Sequence, residues 1–91
     1  MNEWDEAKRA WTLRERGLDF ADAEKMFDGR TVTLADDRKD YGETRFISAG
    51  WLEGRFVVIA WTSRGMKRRI ISMRYGHADE EADYREQMDR S

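Results

Sequence analysis

Thr44-Arg45-Phe46-Ile47-Ser48-Ala49-Gly50-Trp51 and Arg55-Phe56-Val57-Val58-Ile59-Ala60-Trp61-Thr62 are runs of β-branched and aromatic residues joined by Leu52-Glu53-Gly54. Such runs suit a pleated, half-buried surface, and a short link whose glycine can take positive φ joins them as a hairpin. Ser63-Arg64-Gly65 repeats that signal before a third run at 67–74, and a further run lies upstream at 30–34. The spacing predicts an antiparallel meander of about four strands.

Outward from the meander, the vocabulary becomes helical. Asp5 can cap a helix over 6–16, Gly17 can supply its left-handed stop, and Arg14 and Arg16 suit the negative end of its dipole. Trp4, Ala7, Trp11 and Leu18 would form its apolar side. Asp19 can cap a second, short helix in which Phe20, Ala23, Met26 and Phe27 recur at helical spacing before Asp28-Gly29. Downstream, 78–88 reads as a third helix with a weak apolar side. The expected fold class is α+β: two N-terminal helices, an antiparallel sheet of about four strands and a C-terminal helix.

Ninety-one residues, 40% of them hydrophobic, are enough for one small domain and too few for two cores. With no cysteine and one histidine, neither a disulfide framework nor a zinc cluster is expected. The acidic N-terminus and the short apolar run at 56–61 point to neither a secreted nor a membrane-spanning protein, so the cytoplasm is the expected location. Proline is absent, and no linker or internal repeat is visible.

Charge is distributed unevenly. The net charge is −2, yet 63–76 holds Arg64, Lys67, Arg68, Arg69 and Arg74 and no carboxylate, while the last 13 residues are strongly acidic. A cationic cluster of this kind creates a local positive field, and phosphate is its first candidate partner. Strict alternation along 67–74 places Lys67, Arg69, Ile71 and Met73 on one face and Arg68, Ile70, Ser72 and Arg74 on the other. Solvated cations protecting an exposed strand edge would give the same pattern.

Glu43 and Arg45, two apart on an extended chain, project to one face. A proton acceptor beside a charge stabiliser suits phosphodiester cleavage, and an ordinary surface ion pair looks the same. His77 is the one side chain of the type suited to acid/base work near neutral pH, but three residues before Glu80 it also fits a helix cap. The four tryptophans read mainly as core, with base stacking open to any exposed ring. No Walker loop, HExxH, nucleophile elbow or Cys/His pair is present.

Over nearly its whole length the chain resembles the BrnT family of type II toxins, which share a RelE-like ribonuclease fold. The resemblance is carried by Glu3-Trp4-Asp5 with Lys8, and by Gly17-Leu18-Asp19-Phe20 with Ala23 and Phe27-Asp28. It continues through Asp40-Tyr41-Gly42-Glu43 with Arg45-Phe46, and Arg69-Ile70-Ile71-Ser72 with Arg74, Glu80 and Tyr84. It implies a single toxin domain over 1–91: a metal-independent endoribonuclease, without cofactor, that cleaves RNA and inhibits translation. It further implies neutralisation by a BrnA-like antitoxin with a ribbon-helix-helix part, through which alone operator DNA would be reached.

The catalytic candidates are then Glu43, Arg45, Arg69 and Arg74. Arg64, Lys67 and Arg68 are RNA-binding candidates, and His77 and Tyr41 are further acid/base candidates. Where family members commonly read Asn-x-x-Lys-His-Gly, this chain has Thr12-Leu13-Arg14-Glu15-Arg16-Gly17, and an acidic stretch follows Tyr75. The first departure removes the amide and histidine on which a catalytic or binding role at that site would rest, and the second implies a smaller RNA-facing positive surface and weaker activity. An alternative reading is a catalytically weak module that pairs with a DNA-binding antitoxin and acts mainly as co-repressor.

Overall fold

The computed structural model describes residues 2–38 and 40–90. Its elements are β1 (Asn2–Trp4), α1 (Glu6–Arg16), a 3-10 turn (Phe20–Asp22), α2 (Ala23–Asp28), β2 (Thr31–Asp36), β3 (Arg45–Leu52), β4 (Arg55–Arg64), β5 (Lys67–Tyr75) and α3 (Ala78–Arg90). The class is α+β as expected, but the sheet has five strands, in the order β1-β5-β4-β3-β2, and is mixed. The additional strand is β1, which pairs in parallel with β5, Glu3 opposite Arg69. It is only three residues long because Asp5 then turns inward to cap α1, its carboxylate accepting from the Ala7 amide at 2.9 Å. At the other end of α1, Gly17 takes φ 69° and donates to the Leu13 carbonyl.

Both hairpins close where glycines allow. Leu52 faces Arg55 across Glu53-Gly54, both at positive φ, the pattern of a type I′ turn. Arg64 faces Lys67 across Gly65-Met66, with positive φ at Gly65 alone.

Each face of the sheet has its own core. On one, Phe20, Met26, Val57, Ile59, Ile70 and Met73 pack beneath the N-terminal segments, with Trp4, Phe27 and Trp61 at the margin. On the other, Ala49, Phe56 and Val58 meet Trp51 and Tyr84 of α3. Gly76, leading into α3, lies so close to the Phe56 ring that a Cβ there would collide with it. The second core is small and its helix covers part of its face. Glu3, Arg45, Thr62 and Arg69 lie on that face outside this core.

β5 does not obey strict alternation. Trp61 faces Ile70 while the adjacent Ala60 faces Ser72, so Ile71 is an extra residue, a β-bulge. The bulge changes the side-chain parity and corrects the expected faces. Lys67, Arg69, Ser72 and Arg74 share the α3 face, and Arg68, Ile70 and Met73 share the opposite one.

α1 continues along the edge of β5 where β1 stops. Arg16 donates to the Met73 carbonyl at 2.7 Å, and Lys8 reaches the Ile71 carbonyl at 3.4 Å. A helix set against a strand edge buries little of itself. Thr12 is its buried residue, whereas Trp11, expected in the core, is 46% exposed. No helix among the described residues is long and apolar enough to cross a membrane.

Candidate functional site

One transverse row of the sheet carries two of the candidates, Arg45 and Arg69. Asp36 faces Arg45, Arg45 faces Thr62, Thr62 faces Arg69, and Arg69 faces Glu3, so the five strands in succession present acid, arginine, threonine, arginine and acid. Directly opposed residues point to the same side. The row needs the Ile71 bulge only so that Arg74, further along β5, joins the same face.

At the Arg45–Arg69 part of this row lies a cleft of about 200 Å³ lined by Asp5, Lys8, Glu43, Arg45, Arg64, Arg69, Ile70 and Ile71. Four cations and two carboxylates line it, and Asp5 is already committed to capping α1. Glu43 hangs between two guanidiniums, 3.4 Å from Arg45 Nε and 3.3 Å from Arg64 Nη2. Both contacts exceed the ~2.7–2.9 Å usual for a charge-assisted bond, so Glu43 is loosely held. Arg45 lies 4.0 Å over the Tyr41 ring, which fixes the plane of its guanidinium. Tyr41 in turn donates to Asp36 at 3.1 Å, and Arg38 grips that same carboxylate with two bonds of 2.8 and 2.9 Å. Arg38 first, and Tyr41 after it, hold the Asp36 carboxyl well below the usual range.

Arg69 makes one bond to Glu3 at 2.9 Å, both side chains about one-third exposed. Arg74 is held differently. Its guanidinium forks onto Glu80 with two bonds of 2.9 Å, and the same carboxylate accepts from the His77 amide. That arrangement draws the Glu80 carboxyl down to about 2, chiefly through Arg74. His77 occupies the N-cap position of α3, with its carbonyl accepting from Glu81.

Glu43, Arg45, Arg64 and Arg69 are therefore brought together, with Tyr41 adjoining through Arg45. Lys67 is exposed opposite Arg64 at the hairpin end of the same face. Arg74 shares the face but is clamped to α3, and His77 stands with it at the helix start. Arg68 is on the far side of the sheet, 4.0 Å over the Phe27 ring and 5.6 Å from that of Trp61. Sequence reasoning did not assign Lys8, Glu3 or Thr62 to the site. Lys8 and Glu3 were visible only as part of the Glu3-Trp4-Asp5 and Lys8 pattern, because the pairing of Glu3 with Arg69 and the reach of Lys8 to Ile71 each span more than sixty residues.

No curated protein matches the chain. The family model described as the ribonuclease toxin, BrnT, of type II toxin-antitoxin systems matches residues 4–80, a span that takes in every residue lining the cleft as well as Arg74 and Glu80. The chain therefore belongs to the BrnT family of ribonuclease toxins of type II toxin–antitoxin systems.

Proposed function

We propose that residues 1–91 form a single toxin domain that cuts RNA internally without a metal ion, with the cleft around Glu43 as its reaction centre. The observation that carries this reading is the loose suspension of Glu43 between Arg45 and Arg64, beside Arg69 and Lys8. A ribonuclease of this kind needs a base for the 2′-hydroxyl and cations for the charge that builds on the phosphate. Glu43 takes the hydroxyl proton, and the 2′-oxygen attacks the adjacent phosphorus. Arg45 and Arg69 lie on either side of Thr62 across β4, a spacing that lets two guanidiniums flank one phosphate. As the phosphate enters, it competes with Glu43 for Arg45 and Arg64, which frees the carboxylate to act as base. Tyr41, stacked against Arg45, is the candidate to protonate the departing 5′-oxygen.

Arg64 and Lys67 extend the cationic surface along the backbone, while Arg74 offers a further contact only by leaving Glu80. Cleavage of cellular RNA would inhibit translation, and a BrnA-like antitoxin with a ribbon-helix-helix part would neutralise the toxin and carry it to operator DNA.

The second reading, a catalytically weak co-repressor, draws on the pairing of Arg69 with Glu3 and of Arg74 with Glu80, which neutralises part of the basic face. Expression of the toxin with and without its neighbouring antitoxin, following growth and RNA integrity, separates the two. Growth arrest with fragmented RNA that is lost in Glu43→Gln, while antitoxin binding persists, is the expected result. Intact RNA in arrested cells would sink the cleft assignment.

A further inference from the structure

A second hollow, of about 340 Å³, opens between α1 and the edge of β5 and is lined by Lys8, Trp11, Thr12, Arg16, Ile71 and Ser72 together with Ala7. It shares Lys8 and Ile71 with the Glu43 cleft, so the two hollows adjoin along β5. We propose that this hollow seats a nucleobase of the RNA strand next to the phosphate held in the cleft, with the indole of Trp11 as its stacking surface. The proposal rests on the reading of that cleft as the place where RNA is cut.

Three features favour a base as occupant. Trp11 is 46% exposed although it is the largest apolar side chain of α1, and an exposed indole beside a cationic groove is the element that single-strand binders use for stacking. Its ring is braced, for the Arg16 guanidinium lies 5.1 Å from its centroid and is itself anchored on the Met73 carbonyl. A braced ring loses little freedom when a base settles on it. The charge is also right: the lining holds Lys8 and Arg16 and no carboxylate, which suits a polyanion. Lys8, whose bond to the Ile71 carbonyl is long at 3.4 Å, stands at the junction, where the sugar-phosphate link would cross. Because Ile71 is bulged, Arg69 and Ser72 stand only two ladder positions apart, opposite Thr62 and Ala60, or roughly 7 Å, so a phosphate at Arg69 leaves the neighbouring base within reach of the hollow.

The probe is a fluorescein-labelled 2′-O-methyl RNA hexamer, which lacks the hydroxyl needed for cleavage, titrated into the full chain by anisotropy. A parallel series carries one abasic position at a time. Trp11→Ala is expected to weaken binding roughly tenfold, with Trp11→Phe retaining most of the affinity. One abasic position should cost the unaltered chain a similar factor and cost Trp11→Ala nothing more. Equal affinities for Trp11→Ala and the unaltered chain overturn the proposal, as does an unaltered chain indifferent to every abasic position, a readout that survives even if Trp11→Ala does not fold. Unchanged RNA affinity with weaker co-purification of the co-expressed antitoxin overturns it in favour of a protein contact. Cleavage of ordinary RNA by Arg45→Ala and Arg69→Ala is the separate control. If both still cut, the reading of the cleft fails; if both are inactive and the Trp11 results are negative, only the base site fails.

Discussion

Two carboxylate–arginine assemblies share one face of the sheet and are built in opposite ways. At the α3 end, Arg74 and Glu80 meet through two bonds of 2.9 Å, and the His77 amide completes the carboxylate's partners. At the cleft, Glu43 is spread between two arginines at 3.3 and 3.4 Å, one of them, Arg64, about half exposed. The first arrangement satisfies its groups and fixes a helix to a strand. The second leaves donors and acceptor under-used in an open cleft, the condition a site must be in before its substrate arrives. Ion pairs on one surface thus divide, by geometry, into a tight clamp and a loosely held group, the latter being the proposed receptor.

The largest expected effect tests the receptor half of that contrast. Glu43→Gln keeps the shape and removes the proposed base, and should lower RNA cleavage by about a hundred- to ten-thousand-fold with little change in thermal midpoint. Glu80→Gln should do the reverse. A strong loss of cleavage in Glu80→Gln with none in Glu43→Gln would exchange the two roles.

The clamp half is tested by stability. Gly76→Ala forces a methyl group into the Phe56 ring at the junction of β5 and α3, and overpacking of this kind costs about 1–3 kcal/mol, so the midpoint in a thermal melt should fall several degrees. Glu80→Gln should cost less, on the order of 1 kcal/mol, since the side chains of the pair are partly exposed. Its signature is in the pH dependence. Because the folded carboxyl is drawn from an ordinary 4.5 down to about 2, the unfolded chain takes up the proton first as pH falls. The pair's contribution is therefore complete above pH 4.5 and is lost on acidification toward 2, and denaturant melts of Glu80→Gln should lack that part of the acid slope.

What the sequence made legible follows the range of each signal. α1 from Asp5 to Gly17 and both glycine hairpins depend on neighbours within a few residues; α1 stands where the residues place it and both hairpins form, although the second turns at Gly65-Met66 rather than Ser63-Arg64-Gly65, Ser63 and Arg64 being paired in β4. β1 does not, because nothing in Asn2-Glu3-Trp4 announces that its partner is Arg68-Arg69-Ile70. The bulge at Ile71 is equally silent, and a single extra residue was enough to put Arg69 and Arg74 on different faces in the alternating count. Trp11 fell outside the core for a third reason: helical periodicity marks an apolar side, but a helix lying on a strand edge has little core to turn it toward. The charged pair Glu43 and Arg45 was legible as a pair. That Arg64 and Lys8 close around it required the tertiary fold.

Arg68 and Arg64 provide the smallest and most discriminating comparison, since composition alone makes them equivalent. Arg64 borders the cleft and Arg68 lies behind the sheet on Phe27. If binding is driven by phosphates along the cleft, Arg64→Ala should reduce the slope of log affinity against log salt for single-stranded RNA by roughly 0.7, the share of one phosphate contact. Arg68→Ala should leave the slope unchanged and lower stability by about 0.5–1 kcal/mol through the lost cation–π contact. Equal slopes for the two variants would mean that RNA responds to the charge of the molecule as a whole. Unequal slopes, in the stated order, would locate the strand on the face that carries Glu43, because a guanidinium packed on aromatic rings across the sheet is out of reach of a strand bound there.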